Sequence, residues 1–230
     1  MIASTVVLGA AAILLGKLYL PAIAVPIIIW IWSIAFFRDP RRKAQFDPGV
    51  LCAAADGRVK DITRLERYGP IDAPAVRIGV FLSLFDVHAN RWPCSGTVRS
   101  VDYAKGKFLT AMDSRAGEQN ESNTIVIDPA EPVPGPVVVR QVAGIAARRI
   151  VCHAQPGTKC SIGERFGMIK FGSRTELIVP EQAGTEVVVQ VGDKVEAGIT
   201  PLVRQLRGAT DGSPNVQSPQ DDRRPATTAP

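Results

Sequence analysis

The sequence predicts a mainly β (α+β) protein: a β-rich, barrel-sandwich-like domain carried on an N-terminal membrane helical hairpin. Charge partition is the first sign. The chain has 230 residues with 27 basic and 22 acidic side chains, yet Lys17 is the only charge between Met1 and Phe37. The other 48 charges fall in the remaining 193 residues, about 25%, the ordinary share for a soluble domain. The second sign is a series of short β-branched runs punctuated by Gly, Pro and Asp. Together they exclude both a fully soluble chain and a polytopic transporter, whose apolar runs would continue. Four cysteines without a CxxC pair, beside two histidines, argue against a metal site. A domain of this size also builds a core without disulfide staples.

Residues 2–37 would reach about 54 Å as one helix, far beyond a hydrocarbon core of about 30 Å. Gly16-Lys17 and Pro21 interrupt the stretch, so the expectation is a hairpin of helices 3–16 and 18–37, or one span preceded by an interfacial piece. A cleaved signal peptide fits poorly, because Met1-Ile2-Ala3 lacks a basic start and the apolar run is too long. Arg38-Asp39-Pro40-Arg41-Arg42-Lys43 follows with four basic residues against one acid. The positive-inside rule then places the chain in the cell membrane with its globular domain facing the cytoplasm. The net charge of +5 is small and partly located at this edge, so it calls for no nucleic acid.

The globular part, 38–207, carries strand candidates at Val76–Leu84, Thr97–Tyr103, Thr124–Asp128, Val137–Val142, Gly167–Phe171, Glu176–Val179, Glu186–Val191 and Ile199–Val203. The segment Val191–Gly198 has the tight turns of barrel-sandwich folds. From Gly208 to Pro230 there are four prolines, no aromatic residue and one valine as the only large aliphatic. With so little apolar area to offset ordering entropy, that tail is expected to be disordered.

Three places hold chemistry unusual for such a domain: Asp56 in Ala55-Asp56-Gly57, His88 in Phe85–Pro93, and Gly172-Ser173 after an apolar strand. Each has a plain alternative, as an Asx turn, a strand-end histidine and a hairpin turn. Residue types alone leave both open. His153, near a strand end, is read as structural.

In combination these segments resemble a family. Phe36-Phe37-Arg38-Asp39-Pro40-Arg41, Ala55-Asp56-Gly57, Phe81–Arg91, Gly106-Lys107-Phe108, Ala147-Arg148-Arg149-Ile150 and Arg165–Arg174 are similar, in order from Phe36 to Val203, to the short, membrane-attached form of phosphatidylserine decarboxylase. The resemblance implies a proenzyme that cuts itself between Gly172 and Ser173 into a β chain (1–172) and an α chain (173–230), which stay together as a heterodimer. Ser173 would become a covalent pyruvoyl group, the pyruvate cofactor. The implied activity is conversion of membrane phosphatidylserine to phosphatidylethanolamine in phospholipid biosynthesis.

In that scheme Ser173 Oγ attacks the Gly172 carbonyl, and the missing Cβ of Gly172 lets the backbone bend into the required geometry. His88 is the base and later the general acid, with Asp56 orienting it. Arg174, Arg91 and Lys107 are candidate partners for phosphate or carboxylate. Arg91 stands where longer bacterial members have a second histidine, and Asn120-Glu121-Ser122-Asn123 replaces the usual Asn-Glu-Arg-Asn. The alternatives are an archaetidylserine decarboxylase, a membrane-tethered serine hydrolase using Asp56, His88 and Ser173 without self-cleavage, or a non-catalytic β module. A higher oligomer is left open.

Overall fold

The structure is a computed structural model that describes residues 2–43, 46–107, 109, 116–130, 133, 135–144, 149–170 and 173–205. The expected tail 208–230, Gly172 of the expected cleavage site, and Ala147-Arg148 lie outside these residues.

The first element is one helix, α1 (Ile2–Phe36), which corrects the expected hairpin. Gly16 and Pro21 do not break it. A proline forfeits a single backbone bond, whereas a turn among apolar side chains would strand many N–H and C=O groups where no water replaces them. Leu15–Phe36, 22 residues and about 33 Å, is long and apolar enough to cross a membrane. Its end is marked chemically: the Arg38 guanidinium donates to Ala35 O at 2.7 Å, satisfying a last-turn carbonyl, and Pro40 follows.

Strands then follow as β1 (Val50–Cys52), β2 (Gly57–Tyr68), β3 (Ala73–Leu82), β4 (Ala89–Arg91) and β5 (Gly96–Ala104). After the single turn α2 (Ala116–Gln119) come β6 (Ser122–Pro129), β7 (Val137–Val142), β8 (Ile150–Cys152), β9 (Lys159–Cys160) and β10 (Arg165–Ile169). The chain closes with β11 (Ser173–Pro180), β12 (Thr185–Val187), β13 (Lys194–Val195) and β14 (Pro201–Gln205). An eight-stranded antiparallel sheet, in the order β13-β2-β3-β11-β7-β6-β5-β9, curls into a half-barrel. Two three-stranded sheets, β1-β14-β12 and β4-β10-β8, complete the domain.

Strand alternation decides what the large sheet buries. Ile78, Leu177, Val139 and Ile125 lie in cross-strand register on one face and belong to the main core, where Trp92 and Phe166 stack at 4.3 Å. Burying each such aliphatic is worth about 1.5–3 kcal/mol. The strip β3-β11-β7 is the best shielded part, since all eight residues of β11 are buried. Along this inner face, Leu177 gives way to Thr175 and then to Ser173 at the strand's start.

Candidate active site

β3 ends at Leu82, and the chain turns through Ser83–Asp86 toward β4. Asp86 builds that turn: its carboxylate accepts from Ser83 N at 2.8 Å and Ser83 Oγ at 2.6 Å, and its own N–H donates to Ser83 O at 3.1 Å. His88 follows and is wholly buried. Its Nδ1 lies 2.8 Å from Asp86 O. Because a carbonyl only accepts, Nδ1 carries the proton and Nε2 keeps a lone pair. Burial pushes the imidazole below its ordinary value of 6.5, with Arg38 adding to the effect and the Asp86 carbonyl and the Asp86 and Asp56 charges opposing it. The ring is therefore neutral at pH 7, and its Nε2 has no hydrogen-bond partner among the described residues. Phe36, at the end of α1, lies over the imidazole with ring centres 4.2 Å apart.

Ser173 opens β11 opposite Leu82 and is fully buried, its Oγ likewise without a partner among the described residues. Ile169, four residues earlier, donates to His88 O at 3.4 Å, so the strand leading to Ser173 runs beside the histidine. Thr175, on the same face as Ser173, stands opposite Gln141. Gln141 Nε2 donates to Asn90 Oδ1 at 2.8 Å and Asn123 Nδ2 donates to Gln141 Oε1 at 3.0 Å. This order of amides leaves Asn90 Nδ2 as a buried donor with no partner among the described residues. A base, a hydroxyl and an amide donor are thus all buried without partners among the described residues, whereas most buried polar groups in folded proteins are paired. Sequence reasoning missed Asn90; its signal was its position two residues after His88, the spacing of one strand face.

His88 Nδ1 meets the Asp86 carbonyl, and the described hydrogen bonds of Asp56 go elsewhere. The Asp56 carboxylate accepts from Arg42 at 2.5 and 2.8 Å and from Ala197 N at 2.8 Å. This bond is the main reason that the Arg42 pKa is raised. Gly57, next in the chain, lets the backbone lie close against β3: its φ is +151°, and a Cβ there would sit 2.0 Å from Phe81 O.

The three candidate anion-binding cations are engaged in the structure itself. Arg91 is buried, ion-pairs with Asp39 and donates to Gly163 O and Pro40 O, both at 2.9 Å. Arg174 follows Ser173, so alternation turns it to the outer face of the sheet. There its Nε donates to Glu176 at 2.8 Å and its fork grips Asp61 at 2.5 and 2.7 Å. Burial alone would lower the Arg174 pKa, but the Asp61 and Glu176 partners raise it above its ordinary value. Gly79 makes room, since a Cβ there would lie 2.2 Å from an Arg174 nitrogen. Lys107 is exposed, with Nζ donating to Gln119 Oε1 at 3.2 Å.

Comparison with known proteins agrees in kind with this geometry. Residues 30–202 match the family model described as phosphatidylserine decarboxylase. A phosphatidylserine decarboxylase proenzyme of Rhodopirellula baltica is 43% identical over 199 residues, covering 86% of this chain and 81% of its own. Those of Magnetococcus marinus and Carboxydothermus hydrogenoformans are 40% and 42% identical over 188 and 180 residues, covering 80% and 77% of this chain and 84% and 81% of their own. The family model spans the last turns of α1, the His88 turn and the start of β11, and these relatives align over most of their length: the chain belongs to the phosphatidylserine decarboxylase family.

Proposed function

We propose that the protein is made as a proenzyme, cuts itself between Gly172 and Ser173, and then decarboxylates phosphatidylserine to phosphatidylethanolamine at the surface of the membrane that α1 crosses, its domain on the cytoplasmic side. The observation that carries this reading is that Ser173 Oγ and His88 Nε2 are both buried with no hydrogen-bond partner among the described residues. A hydroxyl and a neutral imidazole are what an acyl shift needs.

In maturation, Nε2 takes the Ser173 hydroxyl proton as Oγ bonds to the Gly172 carbonyl carbon, and returns it to the Ser173 nitrogen as the C–N bond breaks to leave an ester. Elimination then moves the Ser173 Cα proton to Nε2 and breaks the Cβ–Oγ bond, which frees the Gly172 carboxylate and leaves a dehydroalanine whose hydrolysis gives ammonia and the pyruvoyl group. The orphaned, fully buried Ser173 Oγ suits that group, since it is made from this residue and needs no separate binding site. When present, its ketone supplies a sink for the electron pair that CO2 leaves behind. His88, with Nε2 protonated by then, returns a proton to the headgroup carbon, while the Asp86 carbonyl holds the ring in place. Asp56 acts at one remove, by fixing Arg42 and with it the segment between α1 and the domain.

Purified full-length protein should appear as two pieces of 172 and 58 residues, the small one blocked at its amino terminus, and Ser173→Ala should remain one chain. An intact wild-type chain would overturn the reading. An intact chain labelled by a fluorophosphonate would indicate the hydrolase instead. Supplying phosphatidylserine and archaetidylserine in parallel and measuring CO2 decides the lipid.

A further inference from the structure

The tip of the turn that delivers His88 is apolar and faces outward. Phe85 is 77% exposed and Leu84 45%, although both sit between the buried ends of β3 and β4. Nothing in the fold requires large apolar groups there, because Asp86 and Ser83 hold the turn through polar bonds alone. Phe37, just past α1, is also exposed at 48%.

These groups are continuous with the helix. One Arg38 guanidinium donates to Ala35 O in the last turn of α1 and to Phe85 O at the turn tip, each at 2.7 Å. The tip is therefore fastened beside the point where α1 leaves its apolar stretch. Cations flank the turn and the helix end: Arg38 on the Phe85 carbonyl, Lys170 5.7 Å over the Phe37 ring, and Arg58 and Lys194 in a cleft shared with Phe81, Ser83 and Asp86. Exposed apolar side chains flanked by cations match the acyl chains and anionic headgroups of a bilayer.

We infer that the Ser83–Asp86 turn is a second membrane contact, with Leu84 and Phe85 inserted into the same anionic bilayer that α1 crosses, so that lipid reaches His88 along the wall formed by Phe36 without passing through water. The inference deepens the proposed activity, on which it rests for the identity of that lipid, but the contact itself is read by position and not by turnover. The occupant is the bilayer because the patch adjoins a helix already suited to it; a second protein would have to reach a surface that α1 holds at the membrane.

Full-length protein carrying a nitroxide at Phe85→Cys, and separately at Leu84→Cys, is reconstituted in vesicles containing phosphatidylglycerol, after subtraction of the label taken up by the parent chain. Glu66→Cys, at the hairpin end of the β2–β3 pair some 30 Å along β3, serves as the water-exposed reference. Ile28→Cys in α1 serves as the buried one. The ratio of oxygen to water-soluble nickel collision should be several-fold higher at positions 84 and 85 than at 66, and should approach that at 28. Ratios at 84 and 85 equal to that at 66, with 28 still in the bilayer, would overturn the inference while leaving the decarboxylase reading standing. Low CO2 release from the unsubstituted parent chain, with high ratios at 84 and 85, would do the reverse.

Discussion

His88 shows how one side chain's surroundings set a reaction's conditions. Its Nδ1 proton is held by a backbone carbonyl that cannot titrate, so burial governs when the ring takes up a second proton. Because the folded pKa lies below 6.5, Nε2 stays available as a base at pH values where an exposed histidine is already charged. Precursor made in a cell-free system with vesicles and then shifted in pH should self-cleave with its half-maximal rate below pH 6.5. A half-maximal rate at or above 6.5 would contradict this assignment. The same group contributes stability that is full above about 6.5 and is lost as pH falls through the lowered folded value. His88→Gln should slow cleavage by about 10²–10⁴-fold, the usual worth of a general base, as followed on denaturing gels. The sequence singles out Ser173 and His88 through the segments around them, and both are buried in the structure. The pairing of the cations was not legible there: Arg91 meets Asp39 52 residues away and Arg174 meets Asp61 113 residues away, so their partners exist only once the sheet has formed.

At the scale of elements, the strands rich in Val and Ile were readable, and β7 has the expected bounds. β2 was not, because Gly57–Tyr68 carries six charged residues; its outer positions face solvent, and pairing with β3 makes it a strand in spite of them. The helix was misjudged for the opposite reason, since local breakers at Gly16 and Pro21 count for little where backbone groups have no other partner. The end of α1 is also part of the site's wall, as Phe36 is 1% exposed and lies over His88. Phe36→Ala would admit water to the imidazole, so the pH at which self-cleavage is half-maximal should move up toward 6.5. Thermal melting in detergent should fall as well, a buried Phe→Ala change costing about 3–5 kcal/mol. A lower melting point with an unmoved pH profile would mean that Phe36 packs without shielding the histidine.

The whole molecule turns on where β11 lies. In the proposed maturation, everything from Ser173 onward belongs to the small chain, yet β11 pairs with β3 over eight residues and with β7 over five, both strands of the large chain. Diluting the mature protein should leave the two chains together, as sedimentation would record. Denaturant, however, gives the two forms different fates. The uncut Ser173→Ala chain refolds as a single molecule, with a rate independent of concentration, whereas the mature protein must bring two chains together again. Its recovery should fall with dilution, and equal recovery at all concentrations would show that the chains are still joined. The central place of β11 therefore gives the protein a direction in time: folding has to precede the cut, and the cut erases the covalent path by which the fold was reached, so that the finished enzyme persists because it is slow to come apart and not because it can readily form again.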